Sequence, residues 1–194
     1  MTNKLFDNKE IEKNLEILKK LIHAASDLKI RFIEIPLVDS SSMRSSHEKN
    51  QFFNNLKKIL PLIEELGVTI NLETDLPAIE FKEYVESFDS DYLRVNYDIG
   101  NSTSLGYDHK EELNILSKFI SNIHIKDRLF DGPTVPLGKG NVNFDSFFHK
   151  LSEIKYSGTF IIQGAREDES VTPPTETCKK YFIFVKHYLD KYRL

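Results

Sequence analysis

The chain has 194 residues, 40% hydrophobic and 29% charged, with a net charge of −4. That size suits one domain with a real core, and the acidic balance argues against a general nucleic-acid or anionic-membrane binder, while leaving room for a local basic site that holds phosphate. Cys178 is the only cysteine, so the sequence offers neither an internal disulfide nor a thiolate metal cluster, and a reducing, cytoplasmic setting is expected. The opening stretch MTNKLFDNKE lacks the apolar run of a signal peptide, and no segment approaches the length of a membrane span.

Residues 8–26 place Ile11, Leu15, Leu18, Ile22 and Ala25 at helical spacing. A strand is expected at 29–38, followed by the serine-rich loop SSSMRSSHE and a helix over 48–66 that ends at Gly67 as its C-cap. Strand 68–73, helix 77–88, strand 92–98, helix 109–119 and strand 122–126 come next. A loop rich in Gly and Pro then leads to helix 143–154, strand 159–163 and a closing helix at 175–192. No composition break divides residues 1–194, which read as a single domain.

Strands alternating with helices imply a parallel sheet joined by right-handed crossovers. Three strands have strict two-residue alternation. Val68, Ile70 and Leu72 oppose Thr69, Asn71 and Glu73; Leu93, Val95 and Tyr97 oppose Arg94, Asn96 and Asp98; Ile123 and Ile125 oppose Asn122, His124 and Lys126. Strands covered on both faces usually read as continuous aliphatic runs. Here one face is expected to pack helices and the other to line a hydrated lumen or active site. A half-exposed antiparallel sheet is the alternative, and the intervening helices argue against it.

Four strands end in residues able to bind a divalent cation: Glu73 in NLETD, Asp98 in VNYDIGN, His124 in NIHIKD and Gln163 in FIIQGAR. Parallel strands bring such ends to one face, and mixed oxygen and imidazole donors suit one Mn, Mg or Zn-type ion rather than a thiolate-rich structural site. Each residue also has a plainer role open to it. Glu73 could be an ordinary polar strand end, Asp98 an Asx-turn residue in D-I-G-N, and Gln163 a hydrogen-bonding partner. Lys126 and Arg128 are candidate contacts for an anionic sugar, and Asp127 between them is a candidate acceptor behind a ligand. Lys139, in the loop G-K-G, and Arg166, just past the last strand, could meet phosphate or carboxylate. The remaining histidines, His23, His47, His109, His149 and His187, have no ligand spacing.

INLETDLP, YDIGN, HIKDR, PLGKGNVNFDSFF and YSGTFIIQ, in that order, resemble the xylose-isomerase-like TIM-barrel superfamily, in its sugar-phosphate isomerase/epimerase branch, over about residues 8–170. The resemblance implies one divalent ion held by Glu73, Asp98, His124 and a final strand-end residue. It further implies proton transfer beside a sugar carbonyl, with Glu73 as base. Two departures stand out. Gln163 replaces a glutamate, and an amide can ligate a hard cation but cannot act as a base. Asn101 stands where many relatives carry a substrate- or metal-contacting histidine, which weakens a phosphodiesterase reading of the endonuclease IV type.

A complete barrel needs about 250 residues and eight strands. The resemblance therefore implies a TIM-barrel-like parallel βα repeat that is truncated, lacking the first three strands of a (β/α)8 barrel. Its open edges predict a homo-oligomer, or a partner chain that completes the wall. A non-catalytic, incomplete barrel that binds a sugar or a partner protein is the competing reading.

Overall fold

Residues 10–166 and 172–194 are described by a computed structural model. The expected helix 8–26 therefore has its first two residues outside the described segment, and the chain divides into two compact units, 1–95 and 96–194.

In the first unit, helix α1 (Ile11–Asp27) buries Leu15, Leu18, Ile22 and Ala25, the stripe expected from their spacing. Strand β1 (Phe32–Leu37) leads into a short 3-10 turn at Asp39–Ser41. The helix expected at 48–66 is two helices, α2 (Ser46–Lys57) and α3 (Leu60–Leu66). Pro61 explains the break, because it has no N–H to continue a ladder and is tolerated in the first turn of a new helix. Ser45 and Glu48 form a reciprocal capping box that starts α2, and Gly67 ends α3 with φ of 65°, the left-handed cap expected there. Strand β2 (Thr69–Thr74), helix α4 (Ala78–Glu86) and strand β3 (Leu93–Asp98) follow. Strands β1 and β2 are parallel, with Pro36 beside Glu73, and β2 is parallel to β3, with Asn71 beside Arg94. Phe53 stacks on Tyr84 at 3.9 Å and touches Phe88, closing the helical side of this unit.

The second unit begins within β3 and continues through α5 (Ile99–Ser104), α6 (His109–Leu116) and strand β4 (Ile120–Ile125). A two-residue antiparallel pair, β5 (Asp127–Arg128) and β6 (Thr134–Val135), stands where the sequence predicts only loop. Helix α7 (Phe144–Glu153), strand β7 (Thr159–Ile162) and helix α8 (Pro174–Tyr192) complete it. Strand β7 runs parallel to β4, and His124 is register partner to Ile161. The helical layer here is aromatic: Phe148 stacks on Tyr188 at 5.1 Å, and Phe144 meets Phe184 edge-on at 5.0 Å.

The main sheet has five strands in the order β1-β2-β3-β4-β7, the α/β arrangement expected. One expectation needs correction. The central asparagines of the polar parity are as dry as the apolar positions, since Asn71, Asn96 and Asn122 are 0%, 1% and 0% exposed. In β3 and β4, Asn122 Nδ2 donates to Asn96 Oδ1 and Asn96 Nδ2 meets His124 Nδ1, so alternation there marks a buried, hydrogen-bonded layer rather than a hydrated wall. The outer strands differ: β1 is half-buried along most of its length, and β7 is half-buried with Thr159 exposed. Among the described residues, no helix is long and apolar enough to cross a membrane.

Candidate metal centre

Asp98 ends β3 and caps α5, and its two oxygens have separate tasks. Oδ1 accepts from the Asn101 backbone N–H at 2.8 Å, satisfying an orphan donor of the helix. Oδ2 lies 3.4 Å from Lys126 Nζ and 3.9 Å from His124 Nδ1. The Asx-turn role of Asp98 and its ligand role are thus compatible, one on each oxygen. His124 sits in β4 between Ile123 and Ile125, both fully buried, and is itself 5% exposed. Asn96 Nδ2 lies 3.1 Å from His124 Nδ1, and Asn122 Nδ2 donates to Asn96 Oδ1 at 2.6 Å.

Glu73, next to last in β2, is 6% exposed. One ligand atom each from Glu73, Asp98 and His124 lie within 4.8 Å of one another, and all three residues are buried. Two carboxylates this close and this dry repel one another; Lys126 at Asp98 Oδ2 offsets part of that repulsion, and a divalent cation among the three would offset more. The O, O, N donor set suits a hard or borderline divalent ion. The residues present therefore fit a metal of the Mn, Mg or Zn class.

The other candidates fall into distinct places. Gln163 is exposed; its backbone N–H donates to Ile125 O at 2.9 Å, and it shares parity with Ile161, the register partner of His124. Arg128 spends three donors inside the protein, Nε and Nη2 on Gly132 O at 3.1 and 2.9 Å and Nη1 on Asn101 Oδ1 at 2.9 Å. Asn101 and Arg128 thereby pin the β5–β6 hairpin to α5. Asp127, fully buried, accepts from the N–H groups of Gly138 at 2.9 Å, Gly140 at 2.8 Å and Val142 at 3.2 Å. The two glycine amides of the G-K-G loop are consequently turned to this carboxylate, while the Lys139 N–H donates to Pro136 O at 3.0 Å. A Cβ on Gly140 would collide with Asp127 Oδ1 and approach Arg128 O to 2.6 Å, so the close approach requires glycine there. Lys139 projects from that loop as an exposed side chain, and Arg166 is exposed beyond β7, lining a cleft with Ile162, Cys178 and Tyr181. His109 is half-buried on Ser146 at 3.1 Å, and the other four non-ligand histidines are exposed.

A polar cluster that the sequence reading passed over lies behind β3. Glu112 Oε2 accepts from Tyr97 Oη at 2.7 Å and from Ser102 Oγ. Burial pushes the Glu112 carboxyl above its ordinary range, and burial also raises the Tyr97 phenol. Its signal was an acid beside Leu113 in a helix whose Leu113 and Leu116 are buried.

The sequence matches the xylose isomerase-like TIM barrel family over residues 5–180, and the chain belongs to that family. It is 28% identical over 158 residues to the L-ribulose-5-phosphate 3-epimerase UlaE of Escherichia coli, a match covering 77% of this chain and 55% of that protein. The chain spans just over half the length of the curated relatives it matches. Among solved structures, an L-ribulose 3-epimerase superposes with a TM-score of 0.78 at 20% identity, covering 98% of this chain and 72% of the other. The IolI protein, solved with a bound zinc atom, gives 0.79 at 20% identity over 96% of this chain and 72% of its own. At those identities the structural likeness speaks for the fold.

Proposed function

We propose that this chain carries a metal-dependent sugar or sugar-phosphate isomerase/epimerase centre. The observation that supports this reading most is the buried convergence of Glu73, Asp98 and His124 in a chain whose sequence relatives are named as L-ribulose-5-phosphate 3-epimerases. Glu73, Asp98 and His124 would hold the ion, with Gln163 as a neutral fourth ligand. When bound, a divalent ion would polarise neighbouring sugar oxygens and favour loss of the proton beside the carbonyl. Glu73 is the base that takes this proton. Lys126, held at Asp98, balances carboxylate charge, while the exposed Lys139 and Arg166 are the cations assigned in this reading to a phosphorylated substrate. Asn101 acts through Arg128, which it orients. Gln163 cannot accept a proton near neutral pH, so the return proton comes from another residue, a water or the substrate itself.

The test is solvent exchange. Ketoses and their phosphates, incubated in D2O with protein and Mn2+, should gain deuterium beside the carbonyl, and Glu73→Gln should abolish that gain while retaining part of the metal affinity. Undiminished exchange in Glu73→Gln would sink Glu73 as base. A second reading, a non-catalytic barrel that binds a sugar or a partner protein, is favoured by Gln163, and metal binding without exchange in any sugar would establish it. In either reading the half-exposed apolar side chains of β1 and of β7 suit cover by a second copy or a partner chain. Sedimentation at micromolar concentration should show self-association; a monodisperse, cooperatively melting monomer would remove that part. A cytoplasmic location belongs to the same proposal, and a reporter fusion found outside the cytoplasm would contradict it.

A further inference from the structure

A cavity of about 270 Å3 lies between the end of β7 and the first two turns of α8. Strand alternation sets its side of the sheet. Ile161 and Gln163 share the parity of His124, so Ile162, which lines the cavity, faces the helices instead. Tyr181, 4% exposed, shapes the wall: its Oη donates to Ala165 O at 3.0 Å, and its ring lies so close over Gly164 that a Cβ there would collide with it. Two polar groups of the lining are left for a ligand. Thr177 is 8% exposed, and its hydroxyl has no hydrogen-bond partner among the described residues. A buried hydroxyl in that state is destabilising, and a ligand oxygen would offset the loss. Arg166, exposed at the end of the same lining, has no ion pair among the described residues.

We propose that this cavity binds a small monocarboxylate, its carboxylate on the Arg166 guanidinium and the Thr177 hydroxyl and its apolar body against Ile162, Ala165 and the Tyr181 ring. A guanidinium fork matches a planar carboxylate with two parallel N–H···O bonds. At about 30 Å3 per water the space equals that of roughly nine waters, enough for an acid of a few carbons and too little for a nucleotide. Phosphate is the competing anion, and the helix end argues against it. Pro174, the first residue of α8, has no N–H, and the amides of Glu176 and Thr177 already donate to Pro173 O at 2.9 and 3.1 Å. The helix therefore lacks the row of free N–H groups that holds a dianion, and Glu176 adds a negative charge to the same turn. One guanidinium and one hydroxyl suit a single charge. The site goes beyond the proposed activity, since it needs neither a metal nor a sugar; an acid held there would compete with a substrate phosphate for Arg166.

Cys178 reports occupancy, because it is exposed, lines the cavity and is the only cysteine of the chain. The full chain, treated with EDTA, is reacted with a maleimide in the presence of pyruvate, lactate or isobutyrate at matched ionic strength. At saturation at least one of these acids should slow the reaction by roughly tenfold, by covering the thiol, and its neutral amide should not. Arg166→Gln, at an exposed position, should abolish the protection. Thr177→Val, which keeps the shape and removes the hydroxyl, should weaken binding by roughly 2–10-fold. Protection by none of the acids overturns the inference, as does equal protection by the amides or protection that survives Arg166→Gln. Stronger protection by inorganic phosphate than by any of the acids would also overturn it and leave Arg166 to a phosphorylated substrate. Protection in a chain that exchanges no sugar proton would uphold the cavity and sink only the activity. Exchange without protection would do the reverse.

Discussion

Asp98 closes β3 and Asp127 follows β4 by two residues; they are 5% and 0% exposed, and their oxygens point to different kinds of partner. Asp127 is consumed by construction, since three loop N–H groups converge on it and gather residues 138–142 beneath the hairpin. Asp98 gives one oxygen to a helix cap and turns the other toward Lys126, His124 and the ligand cluster. Burial alone does not distinguish a binding carboxylate from a building one. What distinguishes them is whether backbone donors take both oxygens or leave one facing other side chains.

The sharpest way to break this comparison is Asp98→Asn. Asparagine caps a helix as well as aspartate does, so the cap on α5 should survive, and the stability lost is confined to the Lys126 contact at Oδ2. The charge facing the cation is lost, and Mn2+ or Zn2+ affinity measured by calorimetry should fall by on the order of 100-fold. Unchanged affinity would reduce Asp98 to a cap, and the contrast with Asp127 would disappear.

Asp127→Asn should show the opposite pattern. The new NH2 group must face at least one of the amides that the carboxylate now accepts, leaving a buried donor without a partner. Chemical denaturation should report a loss of about 1–3 kcal/mol, while metal affinity in the folded protein stays close to that of the unaltered chain. A larger effect on affinity than on stability would make Asp127 part of the centre rather than of the loop that frames it.

The sequence discloses the first aspartate better than the second. Asp98, Glu73 and His124 stand at strand ends on one parity, and alternation makes that visible from residue types alone. Gly67 and the α1 stripe are equally legible, because a cap or an apolar face is a local property. Asp127 is not legible in this way: its partners lie 11 to 15 residues onward, in a loop whose shape exists only once the carboxylate has gathered it. The hairpin β5–β6 and the six-residue helix α5 escape for the same reason, being shorter than the windows over which periodicity builds a signal. Pro61 was readable as a break in the expected helix 48–66, but apolar spacing continues across it and conceals the restart. The asparagine layer was visible as polar parity, and only the packed strands reveal that it is dry and joined to His124.

Glu112 extends the comparison to a buried acid with neither a cation nor backbone donors, and its expected effect is the smallest. Its acceptor oxygen holds Tyr97 and Ser102, and burial keeps the carboxyl above its ordinary value of 4.5. The unfolded chain therefore releases this proton first as pH rises, and above 4.5 the native state binds more protons at this position than the unfolded one. The group's contribution to stability is full below that value and declines as pH climbs through the folded pKa. Glutamine retains an oxygen able to accept from both hydroxyls and carries no titrating proton. Glu112→Gln should thus remain within about 1 kcal/mol of the original protein at neutral pH. Urea unfolding from about pH 5 to about pH 8 should show the variant gaining on the original as pH rises. A gap that is constant with pH would mean that Glu112 is not held protonated by its surroundings. A steep loss for the variant at neutral pH would mean that the carboxylate charge itself, like that of Asp127, is needed to hold Tyr97 and Ser102 in place.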